Sequence, residues 1–350
     1  MTLQQTMEAD QATIDAAARA LEAGRLVAFP TETVYGLGAD AENPAAVAAI
    51  YAAKGRPQDH PVIVHVAPGA SLDYWCADIP SEARQLADAF WPGPLTMILK
   101  RAPDIPDAVS GGQDTVGIRC PSHPVAIRLL QAFKGGRGGV AAPSANKFGH
   151  VSPTTAQHVR DEFSDELGNG GRIAAVLDGG QSEVGIESTI VDLSRLATHG
   201  PVLLRPGHIS AEAIAAVIDR LPARPDAAAP RASGTLESHY APHTPVAMQD
   251  TATLAASLAR LHAAHRKVAL IHYSPLPPVH AEVALPATPE GFAHALYAAL
   301  RAMDGTGADL ILVEAPPQDG AWLGVNDRLR RAAHGSTGIV HGLINNTTEL

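Results

Sequence analysis

The chain has 350 residues, 46% of them hydrophobic, and carries a formal net charge of −10 at pH 7. This length is enough for two domains, each with its own core. Residues 1–210 hold 16 Lys and Arg against 23 Asp and Glu, and residues 211–350 hold 10 against 13. Because both parts are acidic, a broadly basic nucleic-acid-binding surface is excluded, and phosphates must bind in a local cationic pocket.

The sequence shows no sign of export or membrane insertion. No apolar run is long enough to cross a bilayer, and residues 1–15 lack the basic flank and apolar block of a secretory signal. The two cysteines, Cys76 and Cys120, are far apart and are expected to be reduced, packed thiols. These features predict a cytoplasmic protein.

The first 220 residues alternate irregularly between strand and helix patterns. Asn43 and Pro44, for example, form a good N-cap and first turn, and the β-branched run 62–66 is typical of a buried strand. The predicted helices are 11–23, 44–53, 81–90, 123–133 and 211–220, and the predicted strands are 26–29, 62–66, 95–99, 115–119, 139–142, 174–177, 188–192 and 202–205. This irregular order predicts an α/β domain, residues 1–220, with a mixed, twisted sheet.

Residues 221–245 are rich in Pro and Ala and lack periodicity, which predicts a linker. The patterns then predict strands at 267–273 and 308–314 and helices at 289–303 and 327–333. The alternation predicts a second domain, residues 246–350, built as a small parallel α/β module.

The first candidate site segment follows the strand at 26–29. Thr31, Thr33 and Tyr35 follow this strand, and Gly36 and Gly38 come after them. The hydroxyls could bind a small polar ligand, to whose approach the glycines would open the backbone. The alternative, that the hydroxyls make turn bonds at a strand end, is equally compatible with the sequence.

A second segment carries cations. Lys54, Arg56 and His60 lie in one loop, which Pro57 and Pro61 stiffen. Arg offers a planar fork to phosphate or carboxylate, and Lys offers a mobile point charge. A solvated loop with surface ion pairs is the alternative, but a preordered loop favours ligand binding.

Four further positions carry polar groups in or next to predicted strands. Arg119 ends an apolar strand and needs an anionic partner, either an internal carboxylate or that of a ligand. His65 lies inside a strand, where a satisfied core histidine is the common case. Pro143 pins a turn in which the Ser144 hydroxyl and nearby amides can face an oxyanion. Ser188 could bind a ligand but has no neighbouring His to make it a nucleophile.

Several common catalytic motifs are excluded. The Gly-rich run 134–139 precedes its strand, whereas a P-loop follows one. The sequence has no Gly-x-Ser-x-Gly elbow. His239 and His243 have the spacing of a helical metal pair, but Pro242 between them breaks a helix.

Taken together, these segments closely resemble the threonylcarbamoyl-AMP synthase (YrdC-like) family in its longer two-domain form. The matching motifs are Pro-Thr-Glu-Thr-Val-Tyr-Gly-Leu-Gly at 30–38, Lys-Gly-Arg-Pro at 54–57, His-Pro-Val-Ile-Val-His at 60–65, Trp-Pro-Gly-Pro-Leu-Thr at 91–96, Thr-Val-Gly-Ile-Arg at 115–119, Ala-Pro-Ser-Ala-Asn at 142–146, Ser-Thr-Ile-Val-Asp at 188–192 and Leu-Arg-Pro-Gly at 204–207. Their number and order make the resemblance specific over about residues 10–210, and His-Tyr-Ala-Pro at 239–242 extends it into the linker.

The resemblance implies a YrdC-like mixed sheet with a cationic concave cavity, followed by a small Rossmann-like parallel domain. It implies a nucleotidyltransferase that converts L-threonine, bicarbonate and ATP into threonylcarbamoyl-AMP and pyrophosphate, for modification of the adenosine beside the tRNA anticodon. Mg²⁺ would arrive with ATP rather than on protein side chains. Expected partners are the downstream tRNA threonylcarbamoyl-transfer proteins and, weakly, tRNA itself, but no membrane. The C-terminal domain is expected to regulate or close the site.

Site residues carry over position by position. Those implied for L-threonine are Thr33, His65, Arg119, the backbone at Ala142, and Ser188, with Arg119 pairing with its carboxylate. Those implied for ATP are Lys54, Arg56, His60, Thr115, Ser144, Ser152 and Arg205, with His239 and Tyr240 on a linker that acts as a lid. Lys54 and Arg56 are the candidate catalytic residues. The chain departs from the family pattern at His60, where many relatives have Asn, and at 232–240, which is less basic and aromatic.

Two other functions fit parts of the sequence. A non-catalytic module that binds double-stranded RNA or tRNA could use the same cavity, but the acidic balance disfavours it. Another carbamoyl-adenylate enzyme, which uses carbamoyl phosphate in maturing a metal centre, is disfavoured because zinc-finger cysteine spacing and an acylphosphatase-like basic segment are both absent.

Overall fold

The computed structural model describes residues 9–168, 170–235, 239–276, 279–336 and 338–345. Within them the chain divides into two compact units. The first comprises the residues up to Phe148 together with Ser152–Thr235, and the second comprises Gly149–Val151 together with the residues after Thr235. The predicted linker therefore belongs to the first unit as far as Thr235. In the described part of the chain, no helix has the length and apolar character needed to span a membrane.

The first unit is built around a mixed sheet. Its helices are α1 (Gln11–Glu22), α2 (Pro44–Lys54), α3 (Leu72–Trp75), α4 (Ser81–Phe90), α5 (Pro124–Ala132), α6 (Ala156–Glu162), α7 (Leu196–His199) and α8 (Ala211–Ile218). Its strands are β1 (Leu26–Phe29), β2 (Gly36–Asp40), β3 (Ile63–Val66), β4 (Cys76–Ala77), β5 (Leu95–Arg101), β6 (Thr115–Arg119), β7 (Gly139–Ala141), β8 (Ile173–Val176), β9 (Thr189–Asp192) and β10 (Val202–Arg205). The sheet order is β10-β9-β5-β6-β3-β7-β2-β1-β8, with β4 paired to β5. The predicted mixed α/β fold is confirmed.

Capping residues at both ends of α2 determine where the helix begins and where the following cationic loop starts. The Asn43 side chain accepts hydrogen bonds from the first two free backbone N–H groups of the helix, and Pro44 is its first residue. Gly55 ends the helix in the left-handed conformation at φ 65°. The helix therefore ends at Lys54, which is only 2% exposed, and the chain turns at once into Arg56.

Strand β2 was not predicted, and it contains both Gly36 and Gly38. Gly38 pairs with Val27 of β1. A Cβ atom on Gly38 would lie 2.8 Å from Cγ1 of Val140 and 2.9 Å from the Phe29 ring. Glycine is required here for packing inside the sheet, and the expected approach of a ligand to this backbone stays a prediction.

The two faces of the large sheet are covered differently. One face packs against α2, α4, α6 and α8 in a single apolar core. On the other face, α1 and α5 cover one end. A smaller apolar cluster, which includes Ile63, Ile98 and Ile190 and packs against Ala232 of the predicted linker, lies toward the other end. Polar strand residues occupy the space on this face between the two apolar regions.

The second unit contains a small parallel sheet, as predicted. Its strands are β11 (Val246–Gln249), β12 (Val268–His272), β13 (Ala281–Ala284) and β14 (Leu310–Glu314), in the order β11-β14-β12-β13. Its helices are α9 (Thr251–Ala263), α10 (Pro289–Asp304), α11 (Leu323–Ala332) and α12 (Ile339–Asn345). The elements β11, β13, α9 and α12 were not predicted. Leu254, Leu258 and Leu261 of α9 pack against the strands.

Candidate active site

The register of β3 and β6 brings two predicted site residues together. The strands are parallel, and His65 pairs with Arg119, so both side chains lie on the same face. His65 is 3% exposed, and its Nδ1 has no hydrogen-bond partner among the described residues. Burial, assisted by the Arg119 cation, lowers the pKa of His65 to about 3. His65 is therefore a neutral imidazole beside a buried cation.

Arg119 is held by three acceptors. Its Nε donates to the Gly93 carbonyl (3.3 Å), one terminal nitrogen to the Thr33 hydroxyl (2.9 Å), and the other to Oε1 of Glu32 (2.6 Å). Only 4% of the Arg119 side chain and 5% of the Glu32 side chain are exposed. The sequence left open whether Arg119 pairs with an internal carboxylate or with that of a ligand, and the structure shows the internal carboxylate of Glu32. A guanidinium has five N–H groups, so two have no partner in the described part of the chain.

A second arginine joins a different set of oxygens. Arg205 donates from Nε to the Ser188 carbonyl (3.0 Å), and its terminal nitrogens donate to the Ser188 hydroxyl (3.0 Å) and the Ser233 carbonyl (2.8 Å). The Ser188 hydroxyl also shares a 2.8 Å hydrogen bond with Thr96, which is fully buried. Ser233, in the predicted linker, thus lies against a residue implied for ATP.

The cationic loop meets the same linker residue. Arg56 donates to the Pro61 carbonyl (2.9 Å) and, at 3.4 Å, to the Ser233 hydroxyl. Its guanidinium lies 5.9 Å from the centre of the Phe148 ring, against which His60 packs edge-on at 5.4 Å. Burial and the nearby Arg56 lower the pKa of His60.

The Lys54 ammonium group is bound to backbone carbonyls of the first unit. Its Nζ donates to the carbonyls of Ser144 (2.6 Å) and Asn146, which fixes the turn that Pro143 was expected to pin. Burial, followed by repulsion from Arg56, holds the pKa of Lys54 well below its usual range.

Thr115, Ala142 and Ser152, which were also predicted for the site, are buried in the first unit. Thr115 begins β6 on the face that carries Arg119, and it is 6% exposed. The Ala142 N–H donates to the Ile63 carbonyl (2.9 Å). Ser152 is fully buried and donates its hydroxyl proton to Glu187 (2.5 Å).

His239 and Tyr240 belong to the second unit. Their rings lie 4.2 Å apart, and the Tyr240 ring lies 5.7 Å from that of Tyr297 and 5.6 Å from the Arg328 guanidinium. Tyr240 is 1% exposed. Their expected place on a lid stays a prediction.

The sequence interpretation missed four residues of the site: Glu32, Thr96, Glu187 and Ser233. Glu32 had a usable signal, because a carboxylate between two threonines in a buried strand-end segment requires a cationic partner. The other three became visible only through strand pairing and the path of the predicted linker.

Two groups can now be defined. The Arg119 group consists of Glu32, Thr33, His65 and Arg119, and its central cation is paired with a carboxylate. The Arg205 group consists of Arg56, Ser188, Arg205 and Ser233, in which the arginines donate to neutral carbonyl and hydroxyl oxygens. The first arrangement suits a small ligand with both charges, and the second carries two guanidinium groups, whose forked donors match phosphate or carboxylate oxygens.

Comparison with known proteins identifies the family. A family model described as "Telomere recombination" matches residues 19–207, and one described as "Threonylcarbamoyl-AMP synthase, C-terminal domain" matches residues 209–334. The threonylcarbamoyl-AMP synthase of Pyrococcus abyssi is 39% identical over 330 residues, which are 91% of this chain and 93% of the relative. The chain belongs to the threonylcarbamoyl-AMP synthase family. The resemblance drawn from the motifs is thereby confirmed, and the chain is assigned to a family of enzymes.

Further relatives agree with this assignment. The threonylcarbamoyl-AMP synthase of Bacillus subtilis is 39% identical over 333 residues, or 91% of this chain and 92% of the relative. The crystal structure of P. abyssi Sua5 complexed with L-threonine matches with a TM-score of 0.84 at 38% identity, over 93% of this chain and 95% of that one. P. abyssi Sua5 with a histidine and a tyrosine replaced by alanine matches with a TM-score of 0.85 at 36% identity, over 94% and 95%.

Proposed function

We propose that this member of the threonylcarbamoyl-AMP synthase family converts L-threonine, bicarbonate and ATP into threonylcarbamoyl-AMP and pyrophosphate. The observation that carries the proposal is the division of one buried polar surface into the Arg119 group and the Arg205 group. The relatives' names support the product, and a P. abyssi relative has been solved with L-threonine.

L-threonine binds at the Arg119 group. The two N–H groups that Arg119 has left, one on each terminal nitrogen, can donate two hydrogen bonds to a carboxylate. His65 adds no charge beside them, because its pKa of about 3 keeps the ring neutral at physiological pH. The substrate carboxylate therefore binds at a site in which the charges of Arg119 and Glu32 already offset each other.

ATP binds with its phosphates at the Arg205 group and at the loop of Arg56 and His60. Arg205 and Arg56 present guanidinium groups whose forked donors match phosphate oxygens. Among the described residues, no group of three or more His, Cys, Asp or Glu side chains is placed to hold a metal ion. Mg²⁺ carried on the phosphates would neutralise charge on the leaving pyrophosphate.

The reaction has two steps. The threonine ammonium and bicarbonate give a carbamate, water and one proton. A carbamate oxygen then attacks the α-phosphorus of ATP, and the bond from that phosphorus to the oxygen leading to the β-phosphate breaks to release pyrophosphate. The chain's residues align the two substrates and offset their charges, which is the main requirement of phosphoryl-group chemistry.

The product would supply the threonylcarbamoyl group to downstream proteins that modify the adenosine beside the tRNA anticodon. The acyl-phosphate bond of the product makes it a reactive donor, so a transfer protein must consume it. tRNA itself is at most a weak partner, because the whole chain is acidic.

The proposal is tested by measuring pyrophosphate release with all three substrates and with each omitted in turn. We expect release only when L-threonine, bicarbonate and ATP are present together, and we expect the adenylate to be detectable by mass spectrometry. Release that does not depend on threonine would refute the proposal. RNA binding without any turnover would instead support the non-catalytic RNA-binding module.

A further inference from the structure

Glu32 is a buried carboxylate to which the comparisons assign no role, and it contacts a residue placed at the threonine site. Oε1 accepts from Arg119 at 2.6 Å, and Oε2 accepts the backbone N–H of Ser122 at 3.1 Å. Glu32 is 4% exposed. Each oxygen is therefore fixed, one by a side chain on β6 and one by the backbone just after β6.

The three acceptors around Arg119 determine where its other donors point. The Gly93 carbonyl, the Thr33 hydroxyl and the Glu32 carboxylate each take an N–H on a different nitrogen. A planar guanidinium with all three nitrogens anchored cannot rotate, so the two remaining N–H groups have fixed directions. Glu32 is the only charged acceptor of the three and forms the shortest of these bonds.

The hydroxyl chain behind Thr33 supports the same arrangement. Thr31 Oγ1 lies 2.6 Å from the Val34 carbonyl oxygen, which can only accept, so Thr31 must donate its proton there. In the 2.9 Å contact between the two threonine hydroxyls, Thr33 is therefore the donor. With its proton committed to Thr31, Thr33 can only accept from Arg119, which completes the clamp.

Charge is the second effect of Glu32. A zwitterionic amino acid brings a carboxylate but no net charge. An arginine that is already paired with Glu32 can donate hydrogen bonds to this carboxylate, but it attracts simple anions weakly, because the pair is neutral as a unit. An unpaired buried guanidinium would attract any small anion of suitable size.

We infer that Glu32 is a positioning residue of the threonine site, which orients Arg119 toward the substrate carboxylate and prevents the site from accepting other small anions. This inference rests on the proposed function, because it assumes that Arg119 receives threonine. It makes two separable claims, one on orientation and one on charge.

Two variants separate the claims. Glu32→Asp keeps the charge but shortens the side chain, so it tests orientation. Glu32→Gln keeps the length but removes the charge and one acceptor, so it tests both. The matched control is Asp73→Asn, since Asp73 pairs with Arg84 at 2.8 Å on the surface, with 68% and 51% of their side chains exposed.

The experiment measures KM for threonine and for ATP from pyrophosphate release, threonine binding by calorimetry, and inhibition by acetate. Because a hydrogen bond to a charged group is lost or bent, we expect KM for threonine to rise about 10- to 100-fold in Glu32→Gln and less in Glu32→Asp. KM for ATP should stay within about twofold in both, and in Asp73→Asn all constants should stay unchanged. Acetate should compete with threonine in Glu32→Gln alone.

Acetate competition is the readout that a merely structural ion pair would not change. Equal increases in KM for both substrates, an unchanged KM for threonine, or no acetate competition in folded Glu32→Gln would overturn the inference. If Glu32→Gln does not fold, Glu32→Asp still tests orientation through the same ratio of KM values. Should the wild type neither bind threonine nor depend on it, the proposed function itself would fail, which is a distinct result.

Discussion

The Arg119 group and the Arg205 group are built on the same face of one sheet, yet their arginines are held by different contacts. Arg119 is buried against Glu32 and has a neutral imidazole beside it. Arg205 and Arg56 donate to neutral oxygens of Pro61, Ser188 and Ser233. The contact with Glu32 shows that the partner of a buried arginine matters as much as the arginine, because the partner sets the net charge that a ligand meets.

The largest expected effect is that of Arg119→Ala. Removing one member of a buried ion pair leaves Glu32 unpaired, so we expect a loss of about 3–5 kcal/mol in the free energy of unfolding. KM for threonine should rise much more than KM for ATP. Urea denaturation and steady-state kinetics measure these quantities. The control Arg84→Ala, in an exposed pair, should cost at most about 1 kcal/mol. A similar rise in both KM values would contradict the assignment of Arg119 to threonine.

Arg205→Ala is expected to raise KM for ATP much more than KM for threonine, the reverse of Arg119→Ala. Loss of charged hydrogen bonds to phosphate should weaken ATP use by about 2–3 kcal/mol, or about 30- to 150-fold in KM, with little change in KM for threonine. Arg56→Ala should behave in the same way. The comparison between the two groups would collapse if either variant raised KM for threonine as strongly as KM for ATP.

His65 gives the Arg119 group a pH-dependent stability. Its pKa is lowered from 6.5 to about 3 by burial and by Arg119, so the unfolded chain takes up a proton below pH 6.5 that the folded chain refuses. The stabilisation is therefore complete above pH 6.5 and is lost as the pH falls toward 3. Between pH 6.5 and 5 the loss should be about 2 kcal/mol.

The measurement is urea denaturation of the wild type and of His65→Gln across this pH range. In the variant, which has no imidazole at this position, the free energy of unfolding should depend less steeply on pH. The difference in slope should correspond to about one bound proton. Parallel curves for the two proteins would show that His65 titrates normally. Between pH 6.5 and 8, KM for threonine should not change through titration of His65, because the ring stays neutral over this range.

Ser233→Ala should have the smallest effect. The hydroxyl contact with Arg56 is 3.4 Å long, whereas the bond to Arg205 comes from the backbone carbonyl and survives the substitution. We expect a change in KM for ATP of no more than about threefold, near the low end for a single hydrogen bond. A large loss in the same kinetic assay would show that the Ser233 side chain contacts the nucleotide directly.

Periodicity predicted most of the elements of the large sheet, because their strands are short apolar runs between clear stops. Strand β2 was missed because Gly36 and Gly38 have low strand propensity, and pairing with β1 and β7 overrides it. The helix α9, which follows the predicted linker, was also missed. A lid formed by His239 and Tyr240 stays a prediction.

The sequence by itself determined the family, the α/β architecture and the residues that carry charge, because motifs and apolar spacing are local properties. Only the tertiary structure decided which charges meet. His65 reaches Arg119 through strand register, Glu32 meets the same arginine from 87 positions away, and Ser233 reaches Arg205 along a segment without periodicity. These contacts depend on long-range pairing, which local patterns do not encode. The neutral Arg119 group and the Arg205 group could therefore not be told apart until the sheet was assembled.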